Sequence, residues 1–222
     1  MHIAHRAVAP VLSSVMVLTL ACTATPAQFT AAAPPRLSPR VSDVPPAKLG
    51  ASYDPACPVP PSRLRLVRMN HWGFDGRVHR GELIVHQDEV RPLLRVFGKA
   101  FDERFPIRRM RVMAEYGGSD AAAMADDNTS AFNCRRVTGD PRHLSRHSYG
   151  DALDINPVEN PYVDGSGDVH PPAGRACLDR SRPVEGMITP DGVIATQMRA
   201  VGWHWGGSWH PPDYQHFSAD GT

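Results

Sequence analysis

Alternation sets the clearest pattern in the chain. In Gly150-Asp-Ala-Leu-Asp-Ile-Asn156, Ala152, Asp154 and Asn156 fall on one face of a strand, and Leu153 and Ile155 fall on the other. One face is apolar and the other carries a carboxylate, so the strand buries one side and turns the other to a cleft. Gly81-Glu-Leu-Ile-Val-His86 reads as a second strand, with Leu83 and Val85 on one face. It follows Leu64, Leu66 and Val67 and the turn-rich His71-Trp-Gly-Phe-Asp-Gly76. Val90, Leu93, Leu94, Phe97 and Phe101 then recur at helical spacing, with Asp88 placed to cap the helix and Pro92 tolerable in its first turn. Arg111–Tyr116 is expected to form a further strand. The stretch 117–139 is irregular, with a short helical piece around Ala121–Ala125. After another irregular stretch, 160–188, Asp191 is placed to cap a helix bearing Ile194, Met198 and Val201, which Gly202 ends. There is no internal repeat. Separated helices and hairpin strands predict an α+β fold with a small antiparallel sheet.

The first quarter of the chain has a different texture. Arg6 precedes the apolar run Val11–Ala21, which is too short for a comfortable membrane span and sits where an export signal sits. Cys22 after Leu20-Ala21 adds a second reading, a lipoprotein signal with a lipid anchor at Cys22, against ordinary cleavage near Ala24 or Ala27. Residues 25–56 are rich in Pro and Ala, a composition that cannot bury enough apolar surface to order itself, and read as an extended linker. The domain expectation is therefore an export signal over 1–24, a linker over 25–56 and a folded domain over 57–222.

Composition narrows the function classes. The 222 residues carry a formal net charge of +1, which gives no field to hold nucleic acid. Four cysteines in an exported chain point to disulfide use. With Cys22 set aside three remain, and Cys57–Cys134 is the favoured pair, leaving Cys177 free. Asn128-Thr-Ser130 formally matches a glycosylation acceptor, but the export signal has a bacterial look and the match is set aside.

The chemistry gathers in two places. His147 and Asp154 lie around the central strand, and Asp213-Tyr-Gln-His216 adds an imidazole and a carboxylate near the C-terminus. Two His and one Asp leave a fourth position open on a tetrahedral zinc, as catalytic zinc requires, and Asp213 could act as the base. A lone His beside a strand is more often structural, so the combination carries the reading, and His71, His86, His204 and His210 are taken as structural or as supports behind the ligands. The run His147-x-x-Gly150-x-Ala152-x-Asp154 with Asp213-x-x-His216 resembles the VanY-like zinc D-alanyl-D-alanine carboxypeptidases and their L-alanyl-D-glutamate endopeptidase relatives.

That resemblance covers about residues 57–218 and implies the zinc fold shared with hedgehog proteins. It also implies zinc held by His147, Asp154 and His216, Asp213 as base, and Arg135 and Ser145 as substrate-binding residues. Arg135 would further stabilise developing negative charge, so it is placed among the catalytic residues. Many relatives carry Glu where this chain has Asp213, which shortens the reach of the base by one methylene. Trp205, flanked by Gly206 and close to the site in sequence, is a further substrate-binding candidate. The expected activity is hydrolysis of peptidoglycan stem peptides by an exported monomer, with carboxypeptidase favoured slightly over endopeptidase. The alternative is a zinc-containing cell-wall binding module without catalysis.

Overall fold

A long antiparallel hairpin forms the frame. In the computed structural model, which describes residues 1–2 and 33–222, the chain first pairs at β1 (Arg40–Ser42), turns through the short helix α1 (Pro46–Leu49), and enters β2 (Leu64–Trp72) and β3 (Val78–His86). The sheet runs β1-β2-β3, with Leu66 opposite Ile84 and Val67 opposite Leu83. Alternation then splits the apolar side chains between two clusters. Leu64, Leu66 and Ile84 pack with Leu49, Val59, Val112 and Phe132 on one face, and Val67, Met69, Leu83 and Val85 pack on the other. Gly81 is needed within β3, because a Cβ there would meet the Met110 side chain at 2.6 Å.

The compact unit reaches back to Pro35, so the expected linker over 25–56 ends earlier than composition implied. β1 has no buried side chains, yet it pairs with Leu66–Arg68 through its backbone, and Leu49 plugs the second cluster at 5% exposure. Backbone pairing makes no demand on side-chain composition, so composition carries no sign of it. The Cys57–Cys134 disulfide is present, with Cα atoms 6.0 Å apart, and Cys177 pairs with no cysteine among the described residues. The export-signal and Cys22 readings lie outside the described residues. No helix among the described residues is long and apolar enough to cross a membrane.

Helix α2 (Val90–Asp102) buries Leu93, Phe97 and Phe101 of the predicted face together with Val96 and Ala100, while Val90 and Leu94 are partly buried against the same cluster. Asp88 does not cap it. Asp88 sits in the preceding 3-10 turn, where its amide donates to His86 Nδ1 at 3.4 Å and its carboxylate takes Arg63 at 3.3 Å. Strand β4 (Arg109–Met110) is short, and the strand expected over Arg111–Tyr116 is instead a 3-10 turn from Met113. The side chain of Asn128 accounts for this. It accepts from the Arg111 amide at 2.9 Å and donates to the Arg111 carbonyl at 3.0 Å, satisfying both groups without a neighbouring strand.

Helix α3 (Asp120–Ala125) forms where the short helical piece was expected, capped by Ser119 Oγ. β5 (Asn128–Thr129) pairs in parallel with β4, and β6 (Arg136–Val137) and β7 (Asp140–Leu144) make a small hairpin. β8 (Ala152–Asp154) is the alternating strand, and β9 (Tyr162–Val163) and β10 (Val169–His170) form another hairpin within the irregular stretch. Helix α4 (Val193–Ala200) buries Ile194, Ala195 and Met198. Gly192, not Asp191, occupies its cap, with no side-chain capping bond, and Gly202 follows it at φ +86°.

The last sheet runs β11 (His204–Trp205), β12 (His216–Ser218), β8, all antiparallel. Leu153, Ile155 and Phe217 join the cluster that also holds α2, α4 and one face of the hairpin. The result is an α+β arrangement of small, mostly antiparallel sheets and short helices.

Candidate metal centre

The centre is assembled at the edge of that last sheet. Ser145 Oγ accepts from the His147 amide at 3.4 Å and opens a 3-10 turn, Arg146–Tyr149, which buries His147. Gly150 closes the turn at φ +74°, where a Cβ would come within 2.7 Å of the His86 amide. Only glycine allows that approach, and the Gly150 carbonyl uses it to accept from His86 at 2.7 Å. His147 is thereby fixed against the frame hairpin. Its Nδ1–H donates to the Ala131 carbonyl at 2.5 Å, which leaves Nε2 as the lone-pair nitrogen facing the cavity.

Asp154 ends β8, and its backbone exchanges two hydrogen bonds with Ser130, at 2.8 and 3.0 Å. The β8–β12 register sets His216 directly opposite. The Asp154 carboxylate lies 3.2 Å from His147 Nε2 and 3.0 Å from His216 Nδ1, and the two nitrogens are 3.3 Å apart. His216 Nε2–H donates to the Thr222 carbonyl at 3.4 Å, so Nδ1 is the atom it offers. One ligand atom from each of the three residues falls within a 4.8 Å circle. Two imidazole nitrogens facing each other beside a carboxylate suit a cation among them, and this donor set matches a catalytic zinc-type site with three protein ligands.

The electrostatics agree. Burial by itself raises the Asp154 carboxyl, but the charges and hydrogen bonds of His147 and His216 outweigh it and hold its pKa well below the carboxylate range. Burial lowers His216, and the hydrogen bond and charge of Asp154 more than reverse this, so its pKa is raised.

Asp213 stands beside the centre as an acid of another kind. Its Oδ1 is sealed from solvent with no hydrogen-bond partner among the described residues. Burial first, and the charge of Asp154 after it, push its pKa up to about 7 against the pull of His216 and His147. Its amide donates to the Gly206 carbonyl at 3.0 Å, and the backbone bridges Tyr162, which fixes the carboxyl at the cavity wall.

His147, Asp154, Asp213 and His216 line one cavity of about 400 Å3, together with Arg135 and Ser145. The structure thus gathers every predicted site residue but one. Trp205 pairs with Phe217, whose side chain points away from that of His216. The Trp205 ring accordingly stacks on Phe217 at 6.1 Å, and its Nε1–H donates to the Tyr214 carbonyl at 2.8 Å on the far side of the sheet. Trp209 lines the cavity instead, 5.4 Å from the His216 ring. Sequence reasoning also missed Asp120, Tyr162 and His170. Tyr162 and His170 stack at 5.5 Å across the β9–β10 hairpin and form one wall. The alternation of that hairpin is too short to read, although His170 could have been noticed as an imidazole six residues from Asp164, to which it bonds at 2.8 Å. His71, His86, His204 and His210 stay outside the cavity.

A family model described as D-alanyl-D-alanine carboxypeptidase matches residues 138–219. No curated protein and no solved structure gives a match. The matched segment contains His147, Asp154, Asp213 and His216, and stops short of Arg135 and the frame hairpin. Over residues 138–219, which build the centre, this chain is similar to the peptidase family described as D-alanyl-D-alanine carboxypeptidase.

Proposed function

We propose that this protein is an exported zinc metallopeptidase that hydrolyses the stem peptides of peptidoglycan. The observation that carries the reading is the convergence of His147 Nε2, Asp154 and His216 Nδ1 beside the unpartnered carboxyl of Asp213. His147, Asp154 and His216 would hold the ion. Zinc bound there supplies a Lewis acid and a water of lowered pKa.

The chain's own groups do the rest. The Asp213 carboxylate takes a proton from the attacking water and passes one to the leaving amine. A proton carrier for both steps must stand beside the reacting atoms, and Asp213 lines the same cavity wall as the three ligands. Ala131 and Thr222 hold the two imidazoles in their tautomers, and Ser145 holds the turn that carries His147. Trp209 and the Tyr162–His170 pair wall the cavity and limit water around the reacting carbonyl. A binding module has no use for a proton carrier at this place.

The test is incubation of the purified protein with muropeptides, with and without added zinc, followed by mass spectrometry of the products. Zinc-dependent loss of mass from the stem peptide is expected. Intact muropeptides beside zinc-loaded, folded protein would overturn the reading in favour of a wall-binding module.

A further inference from the structure

The arginines of the cavity are already paired. Arg135 and Arg146 both line it. Arg146 bonds to Asp151 and, at 2.9 Å, to Asp220, and its guanidinium lies 4.5 Å over the Tyr149 ring. Arg135 is salt-bridged through Nε to Asp120, and its NH1 donates to the Arg136 carbonyl at 3.0 Å. His170, the other basic side chain on the wall, bonds to Asp164. Among the described residues that line the cavity, outside the metal-ligand set, no basic side chain lacks an acidic partner.

Asp120 is not a loose surface counterion. It starts α3, and its Oδ1 accepts from Asn133 Nδ2 at 2.8 Å. Asn133 is buried, and its amide donates to the carbonyl of His147 at 3.1 Å. The Asp120 carboxylate is therefore tied to the metal-ligand turn, and its side chain and that of Arg135 are only 22% and 27% exposed. Solvent does little to screen such a pair.

We infer that Asp120 determines specificity: by holding Arg135 it denies a free C-terminal carboxylate its anchor, so the site cuts internal peptide bonds. This inference rests on the peptidase reading above and concerns its mode of cutting. An incoming terminal carboxylate meets Asp120, a like charge, and must displace it from Arg135 to gain a two-pronged bond. Displacement would leave Asp120 part-buried without its partner, which opposes the exchange. A neutral peptide carbonyl faces neither cost. It needs one N–H, and the guanidinium, ion-paired to Asp120 on its Nε side and hydrogen-bonded through NH1, still has NH2 to give. Met124, Val137 and Trp209 provide apolar contact for the alanyl side chains and backbone beside the bond.

The experiment compares two peptides of stem sequence ending in D-Ala-D-Ala, one as the free acid and one as the amide, with product masses locating the cut. Zinc-loaded wild-type protein is expected to cut both at an internal bond with similar kcat/KM. Asp120→Ala releases the Arg135 fork and should raise the acid-to-amide ratio of kcat/KM roughly tenfold or more, the scale of one charge-assisted hydrogen bond. Asp120→Asn keeps the shape and the Asn133 contact, and should raise the ratio in the same direction even if the alanine variant fails to fold. A wild-type preference for the free acid by tenfold, loss of only the terminal D-Ala, or an unchanged ratio in both variants would overturn the inference. If wild-type protein with full zinc cuts neither peptide nor any muropeptide, the peptidase reading itself falls, and this one with it.

Discussion

The β2–β3 hairpin and the β8–β12 pair are both antiparallel ladders, yet they are built on opposite terms. The hairpin pairs nine residues on each strand and is apolar on both faces. The β8–β12 pair has three residues on each strand, and only one face is apolar. Leu153 and Phe217 look into the core, while Asp154 and His216 look into the cavity. Three residues of pairing would not hold buried charge by themselves. They hold it because the other face of the same strands is anchored in the cluster that the hairpin and α2 complete. Stability and chemistry are thus separated by the thickness of one strand.

The sharpest way to break this contrast is on the cavity face. Asp213→Asn should lower stem-peptide hydrolysis about 10²–10⁴-fold, because it removes proton transfer while leaving all three ligands. Zinc content by elemental analysis should stay at the wild-type level, and the melting temperature should hold or rise, since a sealed, unpartnered carboxyl is lost. Near-normal turnover with zinc in place would remove Asp213 from the chemistry.

On the frame side the expected loss is of stability. Leu83 is 1% exposed in the shared cluster, and Leu83→Ala should cost about 2–5 kcal/mol by urea unfolding, as buried Leu-to-Ala changes do. Zinc binding per folded molecule should be unchanged. A cost under about 1 kcal/mol would show that the hairpin is not what anchors the site.

The smallest effect is expected between the two regions, at Glu159 on the loop that follows β8. Glu159 is buried 3.4 Å from Arg108, with one oxygen unpartnered, and burial followed by the charge of Asp127 pushes its pKa up to about 7. Between its ordinary 4.5 and about 7, the folded chain holds a proton that the unfolded chain has released. This contribution to stability therefore falls as pH rises through that window. Glu159→Gln should match wild type near pH 4.5 and exceed it at pH 8 by on the order of 1 kcal/mol. Parallel stability-versus-pH curves for the two proteins would show that Glu159 ionises freely.

Much of the centre was legible before any coordinates. The 150–156 alternation placed Asp154 on the cavity face, and His147 was singled out ahead of the same strand, although the turn from Ser145 to Gly150 that seats it was not read. The late Asp213–His216 run supplied the remainder. The helix faces of α2 and α4 were legible for the same reason, since periodicity is a local property that burial acts upon. The caps were not. Asp88 and Asp191 are suitable residue types in suitable places, but His86 and Arg63 occupy Asp88, and Gly192 takes the cap position that Asp191 was expected to fill.

What the sequence determined by itself is therefore what depends on near neighbours: turns, strand faces, helix stripes, and the residue types able to hold a cation. Tertiary structure decided whatever depends on a partner distant in the chain. It recruited residues from 35 onward, because β1 pairs by backbone alone. It chose Trp209 over Trp205, because the β11–β12 register turned Trp205 to the core with Phe217. It set Asp120 against Arg135, fifteen residues apart, because α3 and the segment after β5 meet at the cavity wall. A side chain's chemistry is encoded where it stands, but its charge environment is made by whatever the fold brings against it.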